Sequence, residues 1–430
     1  ALIFVFYHVR FIFKQTELIE DYDLAVVSPG ISPFSEFYSS ALLHAKEVIG
    51  EVELAWRLSN DVWIAITGSN GKTTTTALIT QMLEDAGKSS YAVGNIGEPC
   101  VSEVHRLCLD SQLDYLVSEV SSFQLYSTSS FAPRIAILLN ITPDHLEWHK
   151  SFTHYANSKK KIFANLSETD LAISNYDDEH LRPLHRELIN ENKRLVLVSE
   201  REFTESPTKE DFDHKLAGWV QDNALHLRWE EKTFKLIDIA DMRLKGLHNY
   251  FNALCASLAA LELGISIEEI VSTLKAFKAL EHRIEYVTHV DGIAYYNDSK
   301  ATNTDATIKA INSFASKEIV LLLGGHDKGG DLEHFSHLAT QRCKAIVCYG
   351  EAQQRFLDSL TQTAEADQTA LASADHMLDA VLVASSLAEK GDVILLSPAC
   401  SSFDEFSGFE ERGRIFKEFV NKQAQVSLQG

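Results

Sequence analysis

The sequence is poor in positive charge, in long apolar runs and in cysteines with metal-binding spacing. Its 430 residues include 39 Lys and Arg against 61 Asp and Glu, which gives a formal net charge of −22. Such an acidic chain argues against a general affinity for DNA or RNA, because nucleic-acid binding requires a basic surface. No apolar run reaches the roughly 18 residues that a membrane-spanning helix needs, so we expect no association with a membrane.

The few cysteines point to a reducing environment. Six are present, without the spacing of metal ligands: Cys100, Cys108, Cys255, Cys343, Cys348 and Cys400. Reduced, mostly buried thiols are typical of cytosolic proteins, so we expect a cytoplasmic location. The apolar start, ALIFVFYHVRFIF, is interrupted by Arg10 and lacks the basic region and small-residue cleavage site of a signal peptide.

Apolar, strand-like runs alternate with helical patterns along most of the chain. Continuous runs of this kind indicate parallel sheets covered by helices on both faces, which is an α/β fold. The length and the changes of pattern predict three units. Residues 1–50 hold a strand at LAVVSPGI and a helix near Ser35–Ile49, residues 51–280 include a polar, β-rich insert near Glu200–Met242, and residues 281–430 form the third unit.

The stretch ITGSNGKTTTTALI follows a predicted strand and begins a helix. Glycines in such a turn let the backbone approach a phosphate closely, the lysine adds positive charge, and a threonine hydroxyl can bind Mg²⁺. This shortened P-loop predicts a nucleotide site made of Gly68, Ser69, Asn70, Gly71, Lys72, Thr73 and Thr74. An ordinary glycine-containing turn with a surface lysine is the alternative interpretation.

Three further residues are candidates for holding a metal ion. Glu119 ends the strand-like DYLVSEV, where ligands bind in parallel sheets, although a solvated acid fits equally well. His145 follows the strand-like AILLN on a loop, where a histidine often has only a structural role. Lys159 lies in the apolar stripe of a predicted helix, whereas Lys160 and Lys161 fit a solvated face. A buried lysine needs a partner or a lowered pKa, and a neutral amine can take up CO₂ to form a metal-binding carbamate.

Further candidates are amides on one helix and polar loops in the third unit. Asn249 and Asn252 are three residues apart on one helix face and could read the edge of a purine, while helix capping by Asn249 is the alternative. Polar loops after parallel strands commonly bind ligands, although ordinary solvated loops would fit each stretch singly. The candidates there are Arg283, Asp298, Lys300, Thr302, Asn303, Lys328, Ser401, Ser402 and Phe409.

Over nearly its whole length the sequence resembles the Mur ligase family. GSNGKTT is common to the wider family, which includes folylpolyglutamate synthase, whereas YNDSKATN, LLGGHDKGGDL and LLSPACSSFDEFSGFEERG resemble its D-glutamate-adding member. The resemblance implies a three-domain architecture: a Rossmann-like unit, here shortened, then a central P-loop ATPase domain and a C-terminal Rossmann-like domain. It also implies ATP-dependent joining of D-glutamate to UDP-N-acetylmuramoyl-L-alanine through an acyl phosphate, in peptidoglycan synthesis.

The resemblance also assigns catalytic roles. Lys72 is expected to stabilise the transferring phosphoryl group and Asn95 to lie near the acyl group, with charge neutralisation doing most of the catalytic work. Two Mg²⁺ ions are implied. The expected metal ligands are Thr73 and Glu119 for one ion, and His145 and carbamylated Lys159 for the other.

The remaining candidates are expected to bind substrates. Asn249 and Asn252 would face adenine, and Arg283 and Asp298 would meet the nucleotide from the third domain. The residues expected around D-glutamate are Lys300, Thr302, Lys328, Ser402, Phe403 and Phe409, and those expected to help bind UDP are Ser28, Pro29 and Gly30. Ligands on different units imply domain closure, and we expect a monomer.

The first domain is expected to be shortened. Only 27 residues precede Ser28, and they do not contain the glycine-rich turn with which the family usually begins, so we expect weakened UDP recognition. Two alternatives stay open. One is a folylpolyglutamate synthase-like ligase, which would lack the SPACSSFDEF loop, and the other is a nucleotide-binding module whose chemistry is lost with the N-terminus.

Overall fold

The computed structural model describes most of the chain, and its strands there form three sheets. The described residues are 17–18, 20–96, 98–107, 115–202, 216–230, 232–244, 246–277, 281–327, 329, 331–363 and 369–427. No helix among them is long and apolar enough to cross a membrane.

The first sheet pairs two short parallel strands, β1 (Ala25–Val27) and β2 (Val48–Gly50), with helix α1 (Glu36–His44) between them. The side chain of Ser35 caps α1. The helix predicted to reach Ile49 is therefore too long, because the β-branched Ile49 is buried in β2 and pairs with β1.

The second sheet has nine strands in the order β11-β10-β9-β8-β7-β6-β3-β5-β4. They are β3 (Val62–Thr67), β4 (Ser90–Gly94), β5 (Tyr115–Glu119), β6 (Ile135–Leu138), β7 (Leu171–Asn175), β8 (Arg194–Ser199), β9 (Ala217–Gln221), β10 (Ala224–Trp229) and β11 (Lys232–Asp238). Strands β3 to β9 pair in parallel, and β9, β10 and β11 form an antiparallel meander. The polar insert thus extends the central sheet.

Helices bury both faces of this sheet. They are α2 (Glu51–Leu58), α3 (Lys72–Asp85), α4 (Cys100–Leu107), α5 (Ser122–Tyr126), α6 (Leu146–His149), α7 (Phe152–Lys160), α8 (Arg182–Asn190), α9 (Leu247–Glu262) and α10 (Ile267–Ala276). Because side chains alternate along a strand, Ile64 and Ile66 of β3 enter the core with α3, α9 and α10, while Trp63 and Ala65 enter the opposite core with α2, α4 and α7. Parallel strands buried on both faces explain the continuous apolar runs in the sequence.

The third sheet has six strands in the order β12-β13-β17-β14-β15-β16, of which only β12 is antiparallel to its neighbour. The strands are β12 (Glu285–Val290), β13 (Ile293–Asn297), β14 (Ile319–Gly324), β15 (Cys343–Tyr349), β16 (Ala370–Ala374) and β17 (Val393–Ala399). The helices are α11 (Thr304–Ile311), α12 (Glu333–Arg342), α13 (Gln353–Thr361), α14 (Met377–Leu387) and α15 (Phe409–Ser427). The predicted α/β class is confirmed.

A buried carboxylate on α2 fixes the turn that leads into β6. Glu53 is fully buried and accepts the backbone N–H groups of Ser129, Ser130 and Phe131 as well as the Nε–H of Arg57. Burial alone would raise the pKa of Glu53, but these hydrogen bonds, led by the Ser130 hydroxyl, together lower the pKa to about 2.

Glu53→Gln should therefore lower the free energy of unfolding by roughly 1–3 kcal/mol, because an amide replaces the charged acceptor of several buried donors. A carboxyl group whose pKa falls on folding stabilises above its ordinary value of 4.5, and this contribution is lost as the pH falls towards 2. Urea unfolding followed by tryptophan fluorescence measures both effects. Glu179→Gln, at an 80% exposed side chain, is the control; equal stability of the two variants at neutral pH would contradict this account.

Candidate functional site

The P-loop connects β3 to α3 at the carboxyl edge of the central sheet. Gly71 is the N-cap of α3 and has a φ of 87°, a conformation that favours glycine. A Cβ atom at Gly71 would lie 2.5 Å from Oδ1 of Asn252 on α9. The turn therefore requires glycine for both its backbone conformation and its close packing, as a phosphate-binding turn before a helix N-terminus does.

Two lysines converge on one carbonyl oxygen of this loop. Nζ of Lys72 donates to the carbonyl oxygens of Gly68 at 2.9 Å and Ser69 at 3.1 Å, and Nζ of Lys159 donates to Gly68 at 2.8 Å. Lys159 is only 2% exposed, as its position in the apolar stripe predicts. Burial lowers the pKa of both lysines, and the charge of Lys72 lowers the pKa of Lys159 further. An incoming anion would relieve this crowding of positive charge.

The interpretation of Lys161 as a solvated residue is wrong. Its Nζ donates to the carbonyl oxygens of Tyr126 and Thr128. These carbonyls belong to the end of α5 and the turn after it, where backbone acceptors lack partners within the helix. Lys161, which directly follows α7, therefore connects the end of α7 to the end of α5.

Glu119, at the end of β5, is buried and only half satisfied. Its Oε1 accepts the side-chain amide of Asn95 at 2.8 Å, whereas Oε2 is buried and accepts no hydrogen bond from the described residues. Buried polar atoms are nearly always paired, so an unpaired carboxylate oxygen beside a phosphate loop fits a metal ion. At the start of α3, the Thr73 hydroxyl accepts Nη2–H of Arg283 at 3.0 Å.

His145 is the exposed N-cap residue of α6, with a φ of 55°. Its backbone N–H donates to Oδ1 of Asp144 at 2.9 Å, and its ring packs edge-on against Phe123 at a centroid distance of 4.8 Å. The ring centroid of His145 lies 6.4 Å from that of Tyr155 on α7, whose hydroxyl is 2.7 Å from the Ser69 hydroxyl. The loop of His145 is thus connected to the P-loop through α7.

A second histidine of this region, His149, is not among the candidates identified from the sequence. His149 is buried between the Ser122 hydroxyl at 2.9 Å and the ring of His154 at 2.8 Å. Burial, with the neighbouring positive charges, lowers the pKa of His149 to about 3, so it is neutral at physiological pH. No pattern in the sequence marks His149, because both of its partners come from the folding of α5 and α7.

The paired amides are buried behind the loop. Asn252 donates to Oδ1 of Asn249 at 3.4 Å, and both residues are less than 10% exposed. Gly246, with a φ of 101°, is the N-cap of α9, so the alternative that Asn249 caps the helix is wrong. Asn252 instead packs against Gly71.

The third domain brings cationic and acidic side chains towards the same edge. Asp298 is buried and accepts the Ser397 hydroxyl at 2.7 Å and the Ile284 N–H at 3.2 Å, and burial raises the pKa of Asp298 to about 7. Lys300 lies over the ring of Phe409, with Nζ 4.9 Å from the centroid, and burial lowers the pKa of Lys300 to about 8.

The other predicted substrate residues differ in their exposure. Ser402 is buried, Thr302 is half-buried, and Phe403 is 70% exposed. Ser28, Pro29 and Gly30 form the turn after β1, where the Gly30 N–H reaches the Ser28 hydroxyl at 3.4 Å. Lys328 lies outside the described residues.

Another group of possible metal ligands is already ion-paired. Glu281, His282 and Glu285 place their ligand atoms within 4.8 Å of one another. Nζ of Lys417 lies 2.7 Å from each of the two carboxylates and neutralises part of their charge. The unpaired oxygen of Glu119 is therefore the stronger candidate for a cation.

Comparison with known proteins decides the family. Residues 66–260 match the Mur ligase middle domain, and residues 282–400 match the Mur ligase, glutamate ligase domain. A protein of Thermoanaerobacter sp. (strain X514) named UDP-N-acetylmuramoylalanine--D-glutamate ligase is 40% identical over 95% of this chain and 86% of its own length. The protein of that name from Koribacter versatilis is 42% identical over 94% and 84%. The chain belongs to the Mur ligase family.

Solved structures share the fold of this Mur ligase. The MurF ligase from Thermotoga maritima in complex with ADP has a TM-score of 0.60 at 18% identity and covers 96% of this chain and 97% of its own. The Mycobacterium tuberculosis folylpolyglutamate synthase complexed with ADP has a TM-score of 0.62 at 13% identity, over 86% of this chain and 93% of its own. The predicted architecture is thereby confirmed at the level of the fold.

We expect Gly71→Ala to weaken the binding of Mg-ATP by roughly five- to 150-fold. The new methyl group collides with Asn252, and overpacking of this kind typically costs roughly 1–3 kcal/mol. Gly87→Ala is the matched control, since Gly87 also has a positive φ, 71°, but has no atom within 4 Å of the added Cβ. Titration with a fluorescent ATP analogue measures the affinity. Equal affinities in the two variants would mean that the P-loop does not depend on its contact with α9.

Proposed function

We propose that this Mur ligase uses ATP to join D-glutamate to UDP-N-acetylmuramoyl-L-alanine in peptidoglycan synthesis. The observation that carries the proposal is the identity of about 40%, over about 95% of the chain, to proteins named for that reaction. The geometry supports it, because two buried lysines, an unpaired carboxylate oxygen and an arginine from the third domain meet at the P-loop. Such a site suits phosphoryl transfer, where positioning and charge stabilisation dominate catalysis.

The proposed reaction makes an amide by activating a carboxylate. The terminal carboxylate of the UDP substrate attacks the γ-phosphorus of ATP, the bond from that phosphorus to the bridging oxygen of ADP breaks, and an acyl phosphate forms. The amine of D-glutamate then attacks the acyl carbon and loses a proton, the C–N bond forms, and phosphate leaves with the C–O bond electrons. Lys72, which now donates to loop carbonyls, would donate instead to the phosphoryl oxygens and stabilise their developing charge.

The residues around the loop fit Mg²⁺. We propose that Glu119 and Thr73 hold one ion, because Glu119 offers a buried, unpaired oxygen, with Asn95 orienting its carboxylate. When bound, the metal neutralises charge on the phosphates. We further propose that His145 and a carbamate on Lys159 hold a second ion. Burial favours the neutral amine of Lys159, which is the form that reacts with CO₂.

The other substrate contacts are proposals of the same kind. Asn249 and Asn252 would face adenine, and Arg283 and Asp298 would meet the nucleotide from the third domain. The residues proposed around D-glutamate are Lys300, Thr302, Lys328, Ser402, Phe403 and Phe409, and those for UDP are Ser28, Pro29 and Gly30. The crowding of Lys300, Arg283 and Lys72 supports an anionic substrate between the two domains.

The domain boundaries also stay a proposal: 1–50, 51–280 and 281–430. They are supported by the sheets, since the nine-stranded sheet spans Val62–Asp238 and the six-stranded sheet spans Glu285–Ala399. The monomeric state and the cytoplasmic location remain predictions.

A folylpolyglutamate synthase-like activity is the main alternative enzyme. Its fold is equally compatible, because the solved synthase superposes as well as the MurF ligase does. Sequence identity favours the D-glutamate ligases, and the SPACSSFDEF loop predicted for them is present at residues 397–406. A module that binds nucleotide without chemistry is the second alternative.

Phosphate release from ATP should require both UDP-N-acetylmuramoyl-L-alanine and D-glutamate. Lys72→Ala should reduce this release about 10²–10³-fold, since losing one charge-stabilising donor costs roughly 3–4 kcal/mol. Lys275→Ala, at a half-exposed lysine on α10, should be unchanged. Release with a folate and L-glutamate in place of the two substrates would favour the synthase, and near-normal release by Lys72→Ala would contradict the role of that residue.

Carbamylation of Lys159 can be observed directly. Protein equilibrated with ¹³C-bicarbonate should give a carbamate carbon resonance, because the buried amine is neutral in a larger fraction of molecules than an exposed one. The resonance should vanish in Lys159→Ala and persist in the neighbouring control Lys160→Ala. Its persistence in both variants, or its absence from the wild type, would show that Lys159 carries no carbamate.

A further inference from the structure

The start of α11 makes two hydrogen bonds that cross from the third domain to the central one. Asn70 of the P-loop donates its side-chain amide to Oδ2 of Asp305, and Asn303 donates its side-chain amide to Oδ2 of Asp144 at 3.1 Å. Each domain thus contributes one carboxamide and one carboxylate. The two bonds are reciprocal, and hydrogen bonds to charged acceptors are stronger than those between neutral groups.

Asp305 is held where it can engage the P-loop. Oδ2 of Asp305 also accepts the Thr142 hydroxyl at 3.2 Å and lies 3.2 Å from Nζ of Lys309, one turn along α11. The backbone of Asn70 is fixed by Asn140, which accepts its N–H at 2.9 Å and donates to its carbonyl oxygen at 3.1 Å. The side chain of Asn70 is therefore left for the third domain.

Asn303 links a helix cap to the loop of His145. Its Oδ1 accepts the Ala306 N–H at 2.8 Å and caps α11, which leaves the amide nitrogen to reach Asp144. The other carboxylate oxygen of Asp144 accepts the backbone N–H of His145 at 2.9 Å. One asparagine thus ties the position of the third domain to the residue that precedes a proposed metal ligand.

We propose that Asn303 and Asp305 are positioning residues that latch the closed third domain onto the P-loop and the His145 loop. The inference rests on the proposed function, because the latch would align the D-glutamate side of the site with the phosphate side. When the domains separate, the hydrogen bond between Asn303 and Asp144 breaks, and so does the one between Asn70 and Asp305. Closure of the third domain is thereby coupled to the geometry of the P-loop and of the His145 loop.

A double-mutant cycle between positions 303 and 144 tests the latch. Asn303→Asp keeps an efficient helix cap but sets a carboxylate against Asp144, so the KM for D-glutamate should rise about tenfold or more, with the affinity for the ATP analogue nearly unchanged. In the Asp144→Asn background the same substitution faces an amide that can donate to it, and its effect should fall below about twofold. Asn192→Asp, an identical change at an exposed residue with a φ of 55°, should have no effect in either background.

A measurement without turnover separates this proposal from the proposed function. Small-angle scattering with the ATP analogue should show that Asn303→Asp is more expanded than the wild type, that adding Asp144→Asn restores compactness, and that Asp305→Ala is also expanded. Equal dimensions in all variants, or the same effect of Asn303→Asp on KM in both backgrounds, would overturn the latch. A wild type without D-glutamate-dependent phosphate release would overturn the proposed function instead, and the scattering result would still decide the latch.

Discussion

The Gly68 carbonyl oxygen accepts hydrogen bonds from the Nζ atoms of two buried lysines, Lys72 and Lys159. Burial of the two amino groups lowers the pKa of both lysines, and the charge of Lys72 lowers the pKa of Lys159 further. Much of the surrounding structure serves this arrangement: Gly71 lets α9 support the loop, the Tyr155 hydroxyl holds Ser69, and α7 carries Lys159 beneath the turn. We expect the arrangement to become favourable when a polyanion and its metal bind.

Glu119 and Arg283 add a carboxylate and a guanidinium group to this site, and the charge of Glu119 acts on Arg283. Among the described residues, Oε2 of Glu119 accepts no hydrogen bond and the buried Nε of Arg283 donates none. Buried polar atoms of this kind are costly while unpaired, and we propose that a metal ion and a nucleotide are their partners. We therefore expect this edge of the sheet to be most stable when ligands are bound and the third domain is closed.

The local parts of this site could be predicted from the sequence, whereas its long-range contacts could not. Periodicity indicates that Lys159 is buried, and spacing identifies the P-loop, because both signals lie within a few residues. Asn70 and its partner Asp305 are 235 positions apart in the sequence. No local pattern identifies Asp144 or His149 as part of the site. Strands β12 and β16 have no clear signal in the sequence either, since they are edge strands with exposed residues and no continuous apolar run. The end of α1 was misplaced because a tertiary pairing overrides helical pattern at Ile49.

A crystal structure with Mg²⁺ and a non-hydrolysable ATP analogue tests the central claim most directly. We predict that Nζ of Lys72 leaves the carbonyl oxygens of Gly68 and Ser69 for the phosphate oxygens, and that Oε2 of Glu119 gains a metal ion or a metal-bound water. A nucleotide bound in the P-loop while Lys72 keeps both carbonyl contacts and Oε2 of Glu119 stays without a partner would contradict it.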